Sequence, residues 1–120
     1  MIVGVFHDRF PRISLSLPFL DAAREVDFVL DTGFDGYLTL PSRIIQLLEA
    51  EPFSAQTHLL ADGSEMQSLV YRLIIEWQGE PREVEALVLE TNPLLGTLCL
   101  GGCHLDIEAT EGGEVLIEPL

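Results

Sequence analysis

Asp31, Thr32 and Gly33 stand where an apolar run, Phe28-Val29-Leu30, stops abruptly. Phe34, Asp35 and Gly36 follow, and then a second apolar run from Tyr37 to Leu40. The density of Val, Phe and Leu predicts a buried strand, and the Asp-Thr-Gly and Asp-Gly pairs predict a sharp turn. A carboxylate at the end of a buried strand, with small residues beside it, can approach a ligand closely and give or take a proton. The commoner role for such an Asp is to form the turn, its side chain bonded to its own backbone. The flanking sequence has to decide between the two.

Other residues with chemical potential are scattered. Cys99 and Cys103 are four apart, a spacing that would share one face of a helix. His104 is adjacent, while His7 and His58 are far off in sequence. No Cys-x-x-Cys pair is present, so neither a metal site nor a disulfide framework is indicated. No cofactor motif occurs. A nucleophilic cysteine has no support in its neighbours.

The elements around the Asp31 segment are mostly strands. Met1 to Phe6 is an apolar run, and Pro11 is expected to break the chain after it. Ile13, Leu15 and Leu17 alternate with polar residues, as in a half-buried strand. Pro41 to Ala50 predicts the clearest helix, with Ile44, Ile45, Leu47 and Leu48 on one face and Pro52 as its stop. Gln56 to Ala61 leads into Asp62-Gly63, a tight-turn pair, and Glu65 to Trp77 leads out. Leu69, Tyr71, Leu73 and Ile75 are expected on its buried face. Gln78 to Pro81 turns again, and Val84 to Leu89 is a further strand. Thr97 to Cys103 predicts a second short helix, and strands at Leu105–Ile107 and Val115–Ile117 close the chain. The segments Phe28–Gly33 and Val84–Gly96, each strand, turn and Gly ahead of a helix, hint at an internal repeat.

The 120 residues suffice for one domain spanning 1–120. The balance of 20 acids against 6 arginines, with no lysine, gives a net charge of −14. Nucleic-acid or anionic-membrane binding needs clustered positive charge and is not expected. No apolar run is long enough to span a bilayer. The N-terminus lacks the basic opening and apolar stretch of a secretory signal, so a cytoplasmic location is expected.

An apolar strand ending in Asp31-Thr32-Gly33, then Phe34-Asp35-Gly36-Tyr37-Leu38-Thr39-Leu40-Pro41, an Asp62-Gly63 hairpin about thirty residues on, and Leu94-Leu95-Gly96 about thirty beyond that resembles the retropepsin-like aspartic proteases. The likeness runs from about Ile13 to Ile117 and is greatest to the small single-domain, non-viral members. It implies an all-β fold with one or two short helices, a closed acid-protease barrel with one lobe per chain. It implies a homodimeric endopeptidase acting on peptide or protein substrates. Asp31, Thr32 and Gly33 would be the catalytic segment: Asp31 as acid/base, Thr32 bracing the loops across the twofold axis, Gly33 donating an amide to the carboxylate. Leu60, Ala61, Asp62, Gly63 and Ser64 would form a flap over substrate, with Phe34 and Asp35 beside it. Leu94-Leu95-Gly96 would pack beneath the loop. Met1–Phe6 and Val115–Ile117 would pair in the dimer interface. Viral members usually carry Ala where this chain has Phe34, which implies a reshaped cleft.

The chemistry fits the resemblance. Peptide hydrolysis without a metal or a nucleophile needs a base to activate water and an acid to protonate the carbonyl or leaving group. Two carboxylates sharing one proton do both, because like charges at close range do not both ionise cheaply. This chain has one Asp-Thr-Gly, and nothing makes Asp35 face Asp31. The second carboxylate is therefore expected from a twofold-related copy. The acidic body implies an acid-shifted optimum and basic or neutral substrates. A dimeric peptide-binding module without turnover and a monomeric all-β interaction domain are the alternatives.

Overall fold

The computed structural model describes all residues from Met1 to Leu120. The chain is mainly β, with two one-turn helices. In order it forms β1 (Ile2–His7), β2 (Phe10–Pro18), β3 (Ala23–Leu30), β4 (Leu38–Leu40), α1 (Ser42–Ile45), β5 (Glu51–Leu59) and β6 (Glu65–Trp77). There follow β7 (Glu80–Val88), β8 (Leu94–Leu95), α2 (Thr97–Leu100), β9 (Cys103–Ile107) and β10 (Glu114–Pro119). All ten strands belong to one sheet, in the order β5-β6-β7-β4-β8-β3-β2-β1-β10-β9. The ladder is open, with β5 and β9 at its two ends.

The sheet is bent over so that β2 meets β6, which is not its hydrogen-bonded neighbour. Between the two arms lies one core. Ile13, Leu15, Leu17 and Phe28 come from the β2–β3 arm, and Leu73, Ile75, Trp77 and Val84 from the β6–β7 arm. Alternation on each strand supplies these inward rows.

The centre of the sheet carries a twofold-like crossing. β3 pairs in parallel with β8 (Leu30 opposite Leu95), and β7 pairs in parallel with β4 (Ala86 opposite Leu38). β4 and β8 meet antiparallel in the middle, Leu38 against Leu95 and Thr39 against Leu94. Each outer strand thus pairs with the inner strand of the other half, and each inner strand runs on into a helix. The internal repeat hinted at in the sequence is present in this topology. Thr39 has no exposed surface, and its Oγ1 accepts a hydrogen bond from Leu94 N at 3.0 Å.

Several local expectations need correction. The helix expected over Pro41–Ala50 is only Ser42–Ile45, with Pro41 at its N-cap. The chain leaves it early because Leu48 bridges to Phe19, flanked by Leu20 N to Leu47 O at 2.8 Å and Glu49 N to Pro18 O at 2.8 Å. Pairing to the end of β2 outweighs helical propensity there. Pro52 stops no helix; it lies inside β5, opposite Tyr71. Pro11 does not break the chain, since it pairs with Phe6 inside β2. The break is the two-residue turn Asp8-Arg9, whose φ values of 48° and 70° match a type I′ hairpin. The second helix ends at Leu100, and Cys103 opens β9 instead of sharing a helix face with Cys99.

β6 matches its expected limits, but its buried face changes along its length. Leu73, Ile75 and Trp77 are buried near its base, whereas Ser68 and Val70 are buried towards its tip and Leu69 is exposed. Different layers cover the two halves of the strand. Neither terminal strand has a free edge: β1 lies between β2 and β10, and β10 between β1 and β9. Pairing of Met1–Phe6 and Val115–Ile117 with a second chain would therefore require ladders within this one to open.

Thr39→Val keeps the shape but leaves Leu94 N without a partner in a dry place. It is expected to lower stability by about 1–3 kcal/mol, read from urea unfolding, with Thr39→Ser closer to wild type.

Candidate functional site

Asp31 is the first residue beyond β3, and its backbone continues the β3–β8 pairing: its N–H donates to Leu95 O at 2.9 Å. The chain then turns, with Phe34 N donating to Asp31 O at 3.1 Å. Gly33 N donates to Asp31 Oδ1 at 2.9 Å, the one hydrogen bond to this carboxylate within the chain. The Asp31 side chain is half-buried, and Thr32 and Gly33 are exposed beside it. The Thr32 hydroxyl is bonded to nothing in the chain.

The loop is fastened from below by the start of α2. Thr97 donates to Phe34 O twice, from its backbone N at 2.9 Å and from Oγ1 at 3.3 Å. Leu98 N donates to Gly36 O at 3.1 Å, and Gly96 N to Tyr37 O at 2.9 Å. Leu95, with no exposed surface, pairs on both sides beneath the loop. The position of Leu94-Leu95-Gly96 is thus a supporting one. Gly96 has no room for a side chain: a Cβ there would lie 2.2 Å from Gly36 O and 2.7 Å from Phe34 O. The Phe34 ring lies over Gly36 and Gly96, within 2.5 and 2.6 Å of where their Cβ atoms would be. Phe34 therefore packs on its own loop.

α2 is itself held from behind. Arg82 on β7 donates to Cys99 O at 3.1 Å and to Leu98 O at 3.0 Å, satisfying carbonyls that a helix end leaves open. Cys99 is fully buried, and burial pushes its thiol up to about 11, which removes it as a nucleophile. No group of three or more His, Cys, Asp or Glu side chains is placed to hold a metal ion.

The largest cleft, of about 530 Å³, opens between this loop and the stem of the β5–β6 hairpin. Phe34 and Asp35 are in its wall, with Tyr37 and Leu98 on the same side and Gln56, His58 and Val70 on the hairpin side. Asp31, Thr32 and Gly33, earlier in the same loop, are not wall residues. Leu60, Ala61, Asp62, Gly63 and Ser64 form the hairpin tip, beyond the cleft. Leu60 N donates to Ser64 O at 2.8 Å, and Gly63 takes the left-handed conformation with φ of 85°. Asp62 Oδ1 accepts from Ser64 N at 2.9 Å and from Ser64 Oγ at 2.5 Å. These bonds hold the Asp62 carboxyl below its ordinary range.

Thr97, Arg82 and Gln56 were not singled out by sequence, and His58 stood there only as one of three scattered histidines. Each acts through a residue distant in the chain, and none lies in a recognisable motif. No protein-family model matches the chain, and no curated protein matches it in sequence.

Gly96→Ala is expected to lower stability by about 1–3 kcal/mol, since backbone on two sides must move. Gly101→Ala, whose Cβ would stand 3.5 Å from the nearest atom, serves as a mild control in the same denaturation series. The lowered Asp62 pKa means its bonds stabilise the tip at neutral pH and are lost as pH falls through that lowered value. A carboxyl-carbon NMR titration should place Asp62 below an ordinary aspartate, and Ser64→Ala should bring it back up.

Proposed function

We propose that this chain is one half of a homodimeric, cytoplasmic aspartic endopeptidase of the retropepsin-like type. The observation that carries the proposal is the setting of Asp31. Its loop is fixed by backbone hydrogen bonds to Leu95, Gly96, Thr97 and Leu98, yet its carboxylate remains half-open with one internal partner. An acid that served only the turn would not need this second tier of support. The crossed pairing of β3, β8, β4 and β7 and the bending of β2 onto β6 also favour the closed single-lobe architecture of that family. No helix is long and apolar enough to cross a membrane.

In the proposed reaction one Asp31 is ionised and the other protonated. The ionised carboxylate takes a proton from water as the water oxygen bonds to the peptide carbonyl carbon. The protonated carboxyl gives its proton to the carbonyl oxygen, forming a neutral gem-diol. That intermediate collapses as the C–N bond breaks: the carboxyl that took the water proton gives it to the amine nitrogen, a gem-diol hydroxyl returns its proton to the other carboxylate as the C=O re-forms, and the dyad again holds one shared proton. Gly33 N–H steadies the ionised form. The titration belongs to the pair. The hairpin tip, Leu60–Ser64, closes over the extended peptide, whose backbone adds to strand edges. The Thr32 hydroxyl, unbonded within the chain, would bond across the twofold axis of the proposed dimer.

A second reading, a dimeric peptide-binding module without turnover, is favoured by one fact. The largest cleft lies beside Asp31 and does not include it. Light scattering combined with a peptide-library digest between about pH 3 and pH 8 separates the two. The proposal predicts a dimer whose cleavage vanishes in Asp31→Asn while fold and dimer persist. A folded dimer that cleaves nothing supports the binding module. A monomer at every concentration overturns both.

A further inference from the structure

The cleft beside the Asp31 loop has a composition that selects its occupant. In the β5–β6 register Gln56 stands opposite Ser68, and His58 opposite Met66; Val70 in turn stands opposite Leu87 on β7. Alternation therefore puts Gln56, His58, Val70 and Leu87 on one face of the sheet, with Glu85 two residues from Leu87 on that same face. This face, turned towards Phe34 and Asp35, makes the cleft.

Three properties of the cleft converge. First, its wall contains no Lys or Arg but two carboxylates, Asp35 and Glu85, neither in an ion pair. The arginine opposite Glu85 in register, Arg72, bonds instead to Glu83 at 3.0 Å and lies over the Phe53 ring. Arg82 is committed to the carbonyls of α2. Second, His58 Nε2 is buried and bonded to nothing. A buried polar atom without a partner is costly, and a ligand donor would satisfy it. Third, Val70 and Leu87 provide an apolar floor, suited to the alkyl stem of a long side chain with a charged head.

We propose that this cleft is a subsite for a basic side chain, arginine or lysine, of the bound peptide. The inference rests on the reading of the chain as a peptide-acting protein and names the residue class it recognises. The stem lies along Val70 and Leu87. The cationic head donates to the carboxylates of Asp35 and Glu85, and a further N–H donates to His58 Nε2 in the neutral tautomer carrying its proton on Nδ1. Asp35 and Glu85 are thus specificity residues, and they take no part in the chemistry at Asp31. A volume of about 530 Å³ accommodates such a side chain with adjoining backbone.

The test uses short fluorescent peptides identical except for a central arginine or its neutral analogue citrulline. Anisotropy is measured at physiological salt, which suppresses long-range attraction to the net charge of −14. Asp31→Asn protein is used, so that binding is read without turnover. The arginine peptide is expected to bind about tenfold more tightly, the least that one charge-assisted hydrogen bond gives. In Asp35→Asn/Glu85→Gln that preference should disappear, and a thermal midpoint and circular dichroism spectrum like those of the Asp31→Asn parent show that the fold survives. Asp106→Asn/Glu118→Gln makes the same change in net charge on β9 and β10, at the far end of the sheet, and should keep the preference. Equal affinity for the two peptides, or an equal loss in both double variants, overturns the subsite. Cleavage by wild type that ignores the arginine overturns the subsite and leaves the peptidase standing. An arginine preference in a protein that cleaves nothing supports the subsite and overturns the peptidase.

Discussion

Leu94 and Leu95 make a strand of two residues with a neighbour on each side, and most of the architecture depends on that double pairing. On one side the strand continues β3 and receives Asp31 N at Leu95 O; on the other it meets β4 head-on. Without it the two arms of the sheet would have no shared ladder. The core would lose the seam that sets β2–β3 over β6–β7. The buried Thr39 hydroxyl closes one end of this seam by accepting Leu94 N, a dry hydrogen bond where an unpaired amide would be costly. The other end is closed by Gly96, whose missing side chain lets the backbone of Phe34 and Gly36 come down onto α2.

This arrangement separates rigidity from exposure. The Asp31 loop owes its position to backbone groups that are already paired, so its carboxylate is free to meet a ligand. Support passes through a short relay: Arg82 holds the end of α2, the start of α2 holds Phe34 O and Gly36 O, and these fix the loop. A reacting group held by residues that are themselves locked is the arrangement that preorganised sites require. The hairpin opposite has a different character. β5 is an edge strand and is exposed along nearly its whole length, so few buried contacts hold that arm in place. A firm loop therefore faces a lightly held arm across the cleft.

Much of this was legible in the residues. The strand into Asp31, the limits of β6 and the Asp62-Gly63 turn follow from alternation and from glycine, both local signals. Even the crossed topology left a trace, in the similar order of Phe28–Gly33 and Val84–Gly96. What was missed depends on distant partners. The helix after Pro41 has a good amphipathic pattern, but Leu47, Leu48 and Glu49 are drawn into pairing with the end of β2. The Asp8-Arg9 turn contains no glycine or asparagine; Glu111, from the far end of the chain, braces it by accepting Asp8 N at 3.0 Å and pairing with His7. Cys99 and Cys103 are four apart, but Gly101-Gly102 sends them into different elements. Thr97, Arg82 and His58 acquire meaning only when the sheet has brought other segments to them.

In the proposed dimer one catalytic site is shared between two copies of Asp31, and mixing subunits puts that sharing to the test. Wild-type and Asp31→Asn chains are unfolded together, refolded in varying proportion, and assayed for peptide cleavage at constant total protein. A site built from both chains is silenced in every mixed dimer, so activity should follow the square of the wild-type fraction, falling to about one quarter in an equal mixture. Activity that falls in simple proportion to the wild-type fraction would mean that each chain carries a complete site, and would contradict the account.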